Sequence, residues 1–270
     1  MDGLPQLGVG VSYRRSFAAD VWQHSGSINV LEIVADNVPR LLTREVVGSL
    51  AAQFPIICHS LNISVGSDES LDLEYVDRIA RIVGDLGAAW LGDHLALTRI
   101  AGRRVGHLAP LCFSNQSVDI VARNVEMFRQ RTGLTLILEN ITYYFSVPGG
   151  HMTEWEFIRR VCEASGCGLL LDLNNLHINS VNHGYDPYEF LEGIPLQNVV
   201  QVHLAGSRRK EQILVDSHAD PVSQEVWRLL EWLRLRCRPN AVILEWDRAF
   251  PPFAVIVAEV EKARGILTRR

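Results

Sequence analysis

Gly168-Leu169-Leu170-Leu171-Asp172-Leu173-Asn174-Asn175 decides how this chain folds. It is a short apolar run that stops on a carboxylate. Runs of this length, rich in Val, Ile and Leu, suit strands covered on both faces. Moving outward, Gly168–Leu176 is one of about eight such candidates. The others are Gly8–Tyr13, Asn29–Asp36, Pro55–Val65, Trp90–Thr98, Leu134–Tyr144, Val199–Ala205 and Ala241–Asp247.

Helix signals fill the gaps. Thr43 opens Arg44–Gln53, and Asp72–Leu86 stops at Gly87. Asn115–Arg131 ends at Gly133. Thr153 with Glu156 three residues on reads as a capping box for a helix ending near Gly166. Val222–Arg236 and Pro252–Ile266 supply the last two, and a shorter piece follows Asp186-Pro187. Ile100–Gln116 reads as a surface loop or small hairpin, and Ser180–Pro187 as a long loop. Repeated strand–helix units imply parallel strands with right-handed crossovers. About eight of them predict an α/β fold, a TIM-type (β/α)8 barrel forming a single domain over residues 1–270. An open doubly wound sheet is the alternative. Gly8-Val9-Gly10-Val11 lacks the third glycine of a dinucleotide fingerprint and leads to no clean helix start.

The 270 residues are 47% hydrophobic and 21% charged, an ordinary globular mix for one large core. Net charge is -5, which argues against nucleic acid or acidic membrane as a partner. No apolar run is long enough to span a bilayer, and Met1-Asp2-Gly3-Leu4-Pro5 does not open a signal peptide. The 5 cysteines are odd in number and irregularly spaced, without CxxC, so a reducing cytoplasm is expected.

In a barrel of this type, chemistry sits at the C-terminal ends of the strands. From the third onward, the apolar runs finish in metal-ligand types: His59, His94, Glu139, Asp172, His203 and Glu245. Asp216 and His218 follow in the loop after the seventh. A lone strand-end His is more often a hydrogen-bonded core residue, and Asp172 before Asn174 can be an Asx turn. The joint pattern is what points to metal. Several carboxylates in one apolar mouth repel each other unless cations lie among them. Four imidazoles, four carboxylates and an amide exceed the roughly four to six ligands one ion accepts. Two or three ions are therefore expected, with Glu139 or another carboxylate bridging. The donors suit iron, manganese or zinc without choosing among them.

Other residues carry weaker signals. His183 is placed in a loop over the mouth, where it can touch substrate, and His177 at a turn. Glu32 and Asp36 either join the mouth or are solvated. Cys58 should face away from His59. Arg208-Arg209-Lys210 is a solvated basic loop or a contact for an acidic peptide.

Several segments together resemble the multinuclear non-heme iron-dependent oxidative enzymes, which include those of methanobactin and thiaglutamate biosynthesis. These are Cys58-His59-Ser60-Leu61-Asn62-Ile63-Ser64-Val65-Gly66, Gly92-Asp93-His94-Leu95-Ala96 and Leu138-Glu139-Asn140. They continue with Leu169–Asn175, Val181-Asn182-His183-Gly184-Tyr185-Asp186-Pro187 and Val200-Gln201-Val202-His203-Leu204-Ala205-Gly206. Val215-Asp216-Ser217-His218 and Leu244-Glu245-Trp246-Asp247 complete the set, in order along nearly the whole chain.

The resemblance implies two or three irons in mixed Fe(II)/Fe(III) states, with dioxygen as co-substrate. It implies His59, His94, Glu139, Asp172, His203, Asp216, His218 and Glu245 as ligands, with Asn175 where the methanobactin enzyme has histidine. Asp172 and His183 are the candidate catalytic residues. It further implies oxidation of a ribosomally made precursor peptide, usually at cysteine, with a separate peptide-recognition protein as heterodimer partner. A divalent-metal barrel isomerase or endonuclease-like enzyme is the competing reading, and a non-catalytic metal-binding protein a third.

Overall fold

The computed structural model describes residues 3–38 and 43–269. Its strands are β1 (Gly8–Ser12), β2 (Leu31–Val34), β3 (Ile56–His59), β4 (Leu91–His94), β5 (Leu97–Ile100), β6 (Arg103–Ala109), β7 (Leu136–Glu139), β8 (Gly168–Asp172), β9 (Val199–Leu204), β10 (Ser207–Lys210), β11 (Ile213–Asp216) and β12 (Ala241–Leu244). The helices used below are α1 (Ala18–Gln23), α2 (Arg44–Gln53), α3 (Leu73–Leu86), α4 (Asn115–Thr132), α5 (Glu154–Ser165), α6 (Leu173–His183), α7 (Pro187–Gly193), α8 (Gln224–Leu233) and α9 (Phe253–Thr268).

Eight strands close a parallel barrel in the order β1-β12-β9-β8-β7-β4-β3-β2. They are the eight apolar runs of the sequence, taken in chain order around the cylinder. The helices cap as their sequences direct. Thr43, Asp72, Ser114, Thr153 and Ser223 each accept a backbone N–H at the first turn of α2, α3, α4, α5 and α8. Gly87, Gly133 and Gly166 end α3, α4 and α5 in the left-handed conformation.

Strand side chains alternate between the barrel interior and the helix layer. Inside lies a small apolar cluster of Val30, Ile57, Trp90, Ile137, Leu170, Val200, Ala241 and Ile243. Outside lies the main core between strands and helices, which holds Cys58 as the alternation predicts. Ile57, Ile137, Leu170 and Ile243 each precede by two positions the polar residues His59, Glu139, Asp172 and Glu245. The same periodicity therefore stacks a polar layer directly above an apolar floor.

The strands are shorter than the sequence reading placed them. Pro55–Val65 ends as a strand at His59, Leu134–Tyr144 at Glu139, and Trp90–Thr98 divides into β4 and β5. Gly168–Leu176 changes to helix at once after Asp172, whose side chain accepts the Asn175 N–H as the N-cap of α6. His177 and Ser180–His183 therefore lie on α6, where a turn and a loop were expected, and Gly184 closes that helix. Two antiparallel hairpins stand on the barrel rim. β5–β6 was anticipated as a loop or hairpin, whereas β10–β11 and α1 were not anticipated. Among the described residues, no helix is long and apolar enough to cross a membrane.

Candidate metal centre

The parallel register sets the polar strand ends side by side. His94 is level with Glu139, and Asp172 with His203. Two groups of donors converge. His59, His94 and Glu139 form one, and Glu139, Asp172, His203 and Glu245 form the other. Within each group the donor atoms lie within 4.8 Å of one another, and Glu139 belongs to both. Its Oε2 lies 2.8 Å from His59 Nε2 and 3.5 Å from His94 Nε2, while its Oε1 lies 3.2 Å from His203 Nδ1. The His59 and His94 rings are 4.7 Å apart. His59 is oriented by the Gly92 carbonyl at 3.1 Å from Nδ1.

Asp216 and His218 come up from the β10–β11 hairpin. His218 Nε2 lies 2.8 Å from Asp216 Oδ1, and its Nδ1 lies 3.1 Å from Asp247 Oδ2 and 3.7 Å from Glu245 Oε2. These contacts are close but lack hydrogen-bond alignment, since neither ring nitrogen has a hydrogen-bond partner among the described residues. His218 itself sits at φ 45, in the left-handed region. Its N–H donates to the Gly206 carbonyl and its own carbonyl accepts the Asp247 N–H, which together hold that conformation.

The electrostatics are those of crowded carboxylates in an apolar cup. Burial opposes ionisation of Glu139, yet His203 and His59 hold its carboxyl well below the usual range. Burial likewise opposes the charge of Glu245, and His203 brings its carboxyl down. Burial disfavours the His59 imidazolium, but hydrogen bonding to Glu139 raises it to about 9. Burial lowers His94 to about 4. Asp172 is pushed well above its ordinary value, first by burial and then by Glu139.

The residues fit bound cations on three counts. Imidazole and carboxylate donors converge in two overlapping sets. Among the described residues, buried Asp172 Oδ2 and His94 Nδ1 have no hydrogen-bond partner. Asp172 resists ionisation among its neighbours, and a cation removes that resistance.

Not every sequence candidate enters this cluster. The amide of Asn175 is engaged elsewhere, accepting from Thr142 Oγ1 at 2.5 Å and donating to the Asn140 carbonyl at 3.0 Å. Its neighbour Asn174 instead donates to Asp216 at 3.0 Å, and its own buried Oδ1 has no hydrogen-bond partner among the described residues. His183 stacks on Tyr143 with centroids 4.3 Å apart and has Nε2 on the Tyr143 carbonyl at 3.0 Å. Asp36 ties the loop after β3, accepting from Leu61 N and Tyr75 OH. Arg208 pairs with Asp220. Sequence reasoning missed Arg14 and Asp247, an ion pair beside Glu245. It left Glu32 undecided, and the structure buries Glu32 completely beneath His203. The signal available was alternation: Glu32 shares a face with Val30, and Asp247 with Glu245.

Beside His183, Tyr143 and Tyr185 donate to buried Glu154 at 3.2 Å and 3.3 Å. Burial pushes the Glu154 carboxyl up to about 8 from 4.5. The folded chain keeps this proton in a range where the unfolded chain has lost it. Stability is present in full below about 4.5 and falls as pH rises toward about 8, by at most about 1.4 kcal/mol per unit. Glu154→Gln is expected to flatten that slope. Denaturant midpoints of both proteins at about pH 5 and about pH 8 measure it, and an unchanged slope contradicts it.

Residues 8–268 match the family described as "RiPP precursor modification enzyme MbnB/TglH/ChrH". The chain belongs to this family. Family members at about this distance include a UPF0276 protein of Rhizorhabdus wittichii, 33% identical over 98% of this chain and 97% of its own length. Another, from Acaryochloris marina, is 30% identical over 95% of this chain and 93% of its own. Among solved structures, 3-keto-D-glucoside 4-epimerase YcjR from E. coli superposes with TM-score 0.62 at 16% identity, covering 96% of this chain and 99% of that one. A D-tagatose 3-epimerase-like protein gives TM-score 0.61, also at 16% identity, covering 96% and 98%. These two likenesses carry the TIM-type barrel and nothing of substrate. Family membership makes the chain one of the enzymes that modify ribosomally made precursor peptides, on a barrel whose mouth can hold metal.

Proposed function

We propose that the chain is an iron-dependent oxidoreductase that uses dioxygen to modify a cysteine of a precursor peptide, with a separate recognition protein as partner in the cytoplasm. The observation that carries this reading is the membership of Glu139 in two donor groups at once, the arrangement of a multinuclear centre. His59, His94 and Glu139 would hold one ion, and Glu139, Asp172, His203 and Glu245 a second. Asp216 and His218, with the Asn174 amide nearer to them than that of Asn175, would hold a third.

Iron, when bound, supplies the one-electron steps that couple cysteine oxidation to dioxygen. The side chains of the chain do the rest. Asp172 presents Oδ2 to the centre, while the Asn140 amide accepts from its backbone N–H and donates to its carbonyl at 2.9 Å and 3.0 Å. That reciprocal pair holds the Asp172 backbone, and the Asn175 N–H on Oδ1 holds its carboxylate. The apolar floor beneath keeps water from entering below. His183, committed to Tyr143, acts as a positioning residue that holds the loop after β7 over the mouth.

The test is co-production with a short cysteine-bearing peptide and the proteins encoded beside this chain, followed by mass analysis. A peptide mass change that requires both iron and air is expected. The same change under anoxia, or with the metal stripped, removes the oxidative reading. His94→Ala is expected to lose turnover together with the ion of its own group.

A further inference from the structure

The barrel interior contains a chain of forced hydrogen bonds below the donor cluster. Trp90, Gln201, Glu32 and His203 are all at most 1% exposed. An indole N–H can only donate. Trp90 Nε1 lies 2.7 Å from Gln201 Oε1, so the Gln201 oxygen faces the indole and its NH2 group faces the other way. That NH2 donates to Glu32 Oε2 at 2.6 Å. A carboxylate can only accept, and Glu32 Oε2 lies 2.8 Å from His203 Nε2. His203 Nε2 therefore carries a hydrogen. The Gln201 and His203 nitrogens are 2.7 Å apart because both donate to the same oxygen. The other ring nitrogen, Nδ1, is aimed upward between Glu139 Oε1 and Glu245 Oε2, at 3.2 Å from each.

We propose that Glu32 is a positioning residue that fixes His203 as a metal ligand through Nδ1, by pinning the Nε2 hydrogen from below. The inference rests on the metal centre proposed above and adds a residue to it. Orientation of a ligating imidazole by a carboxylate on its second nitrogen fixes tautomer and ring angle and raises ligand basicity. Here the orienting carboxylate is itself held by Gln201, whose direction is set by Trp90. The ligand atom of β9 is thus dictated by side chains on β2, on β9 and just before β4 that do not touch the ion. Among the described residues Glu32 Oε1 is buried without a hydrogen-bond partner, which leaves the observed bonding on the oxygen that faces His203.

The test uses the full chain labelled with 15N-histidine and loaded with zinc, a diamagnetic probe. Long-range proton–nitrogen correlation reads which nitrogen of His203 bears the metal and which the hydrogen. Zinc on Nδ1 and hydrogen on Nε2 are expected. Glu32→Leu is expected to release that hydrogen and weaken zinc binding about 10- to 100-fold. Glu32→Gln, whose amide oxygen can accept the same hydrogen, is expected to recover most of the affinity and the His203 signals. The wild-type spectrum alone decides the ligating atom, so the proposal is testable even where Glu32→Leu does not fold. Zinc on Nε2 of His203 overturns this inference and leaves the metal centre standing. Wild-type protein that takes up no zinc overturns both.

Discussion

Glu139→Gln is expected to empty both donor groups at once. Wild-type chain equilibrated with ferrous iron or zinc should hold two or more ions, and the variant about two fewer. The reasoning is geometric: Glu139 is the one residue common to the two groups, with one oxygen toward His59 and His94 and the other toward His203. An amide keeps the shape but gives up the charge and one strong donor oxygen. Affinity for both ions should drop by more than the roughly 10- to 100-fold typical of losing an outer-shell partner, and turnover should go with it. His94→Ala and Glu245→Gln are the controls, since each belongs to a single group. Metal analysis of the three purified variants checks this. If Glu139→Gln keeps the same metal content as His94→Ala, the carboxylate is not shared.

Gly206→Ala is expected to destabilise the fold by about 1–3 kcal/mol, the usual range for overpacking, and to lower metal content as well. Gly206 follows β9, and a Cβ there would overlap the Asp220 and Pro221 carbonyls. No flexible side chain is available to move aside, so the backbone must shift. The segment it would displace carries His218, whose N–H is 3.0 Å from the Gly206 carbonyl, and Ser217, whose hydroxyl donates to the same oxygen. The left-handed His218 has those contacts as its restraint. Denaturant unfolding reads the first effect and metal analysis the second. Wild-type stability and metal content in the variant would mean that the 217–221 segment yields without cost.

The eight barrel strands could be read from the sequence because each is an apolar run with a polar stop, and the polar stop is where the strand delivers a side chain to the mouth. The same logic located His59, His94, Glu139, Asp172, His203 and Glu245 at strand ends, and the parallel register then brings them together. Where strands stop was harder to see. Ile63, Val65, Ile141 and Tyr143 are buried under rim loops, so their apolar character continued the pattern past the last strand residue. Leu173 and Leu176 did the same at α6, and only the capping bond from Asn175 to Asp172 marks the change. The β10–β11 hairpin hid behind Arg208, Arg209 and Lys210, which are exposed and give no apolar run to mark a strand. Arg14 reaches Asp247 across 233 positions of sequence, a pairing that no local pattern announces. Glu32 was ambiguous because one polar residue on a strand reads alike whether it meets water or a buried imidazole.

The ring of Ile57, Ile137, Leu170 and Ile243 beneath the donors has a consequence for traffic. With the lower end of the cylinder filled by that ring and by the buried Trp90, Gln201 and Glu32 side chains, ions and any small reactant reach the donors from the rim. Whatever long molecule settles across that rim corks it. On the proposed function, metal loading would then precede peptide docking.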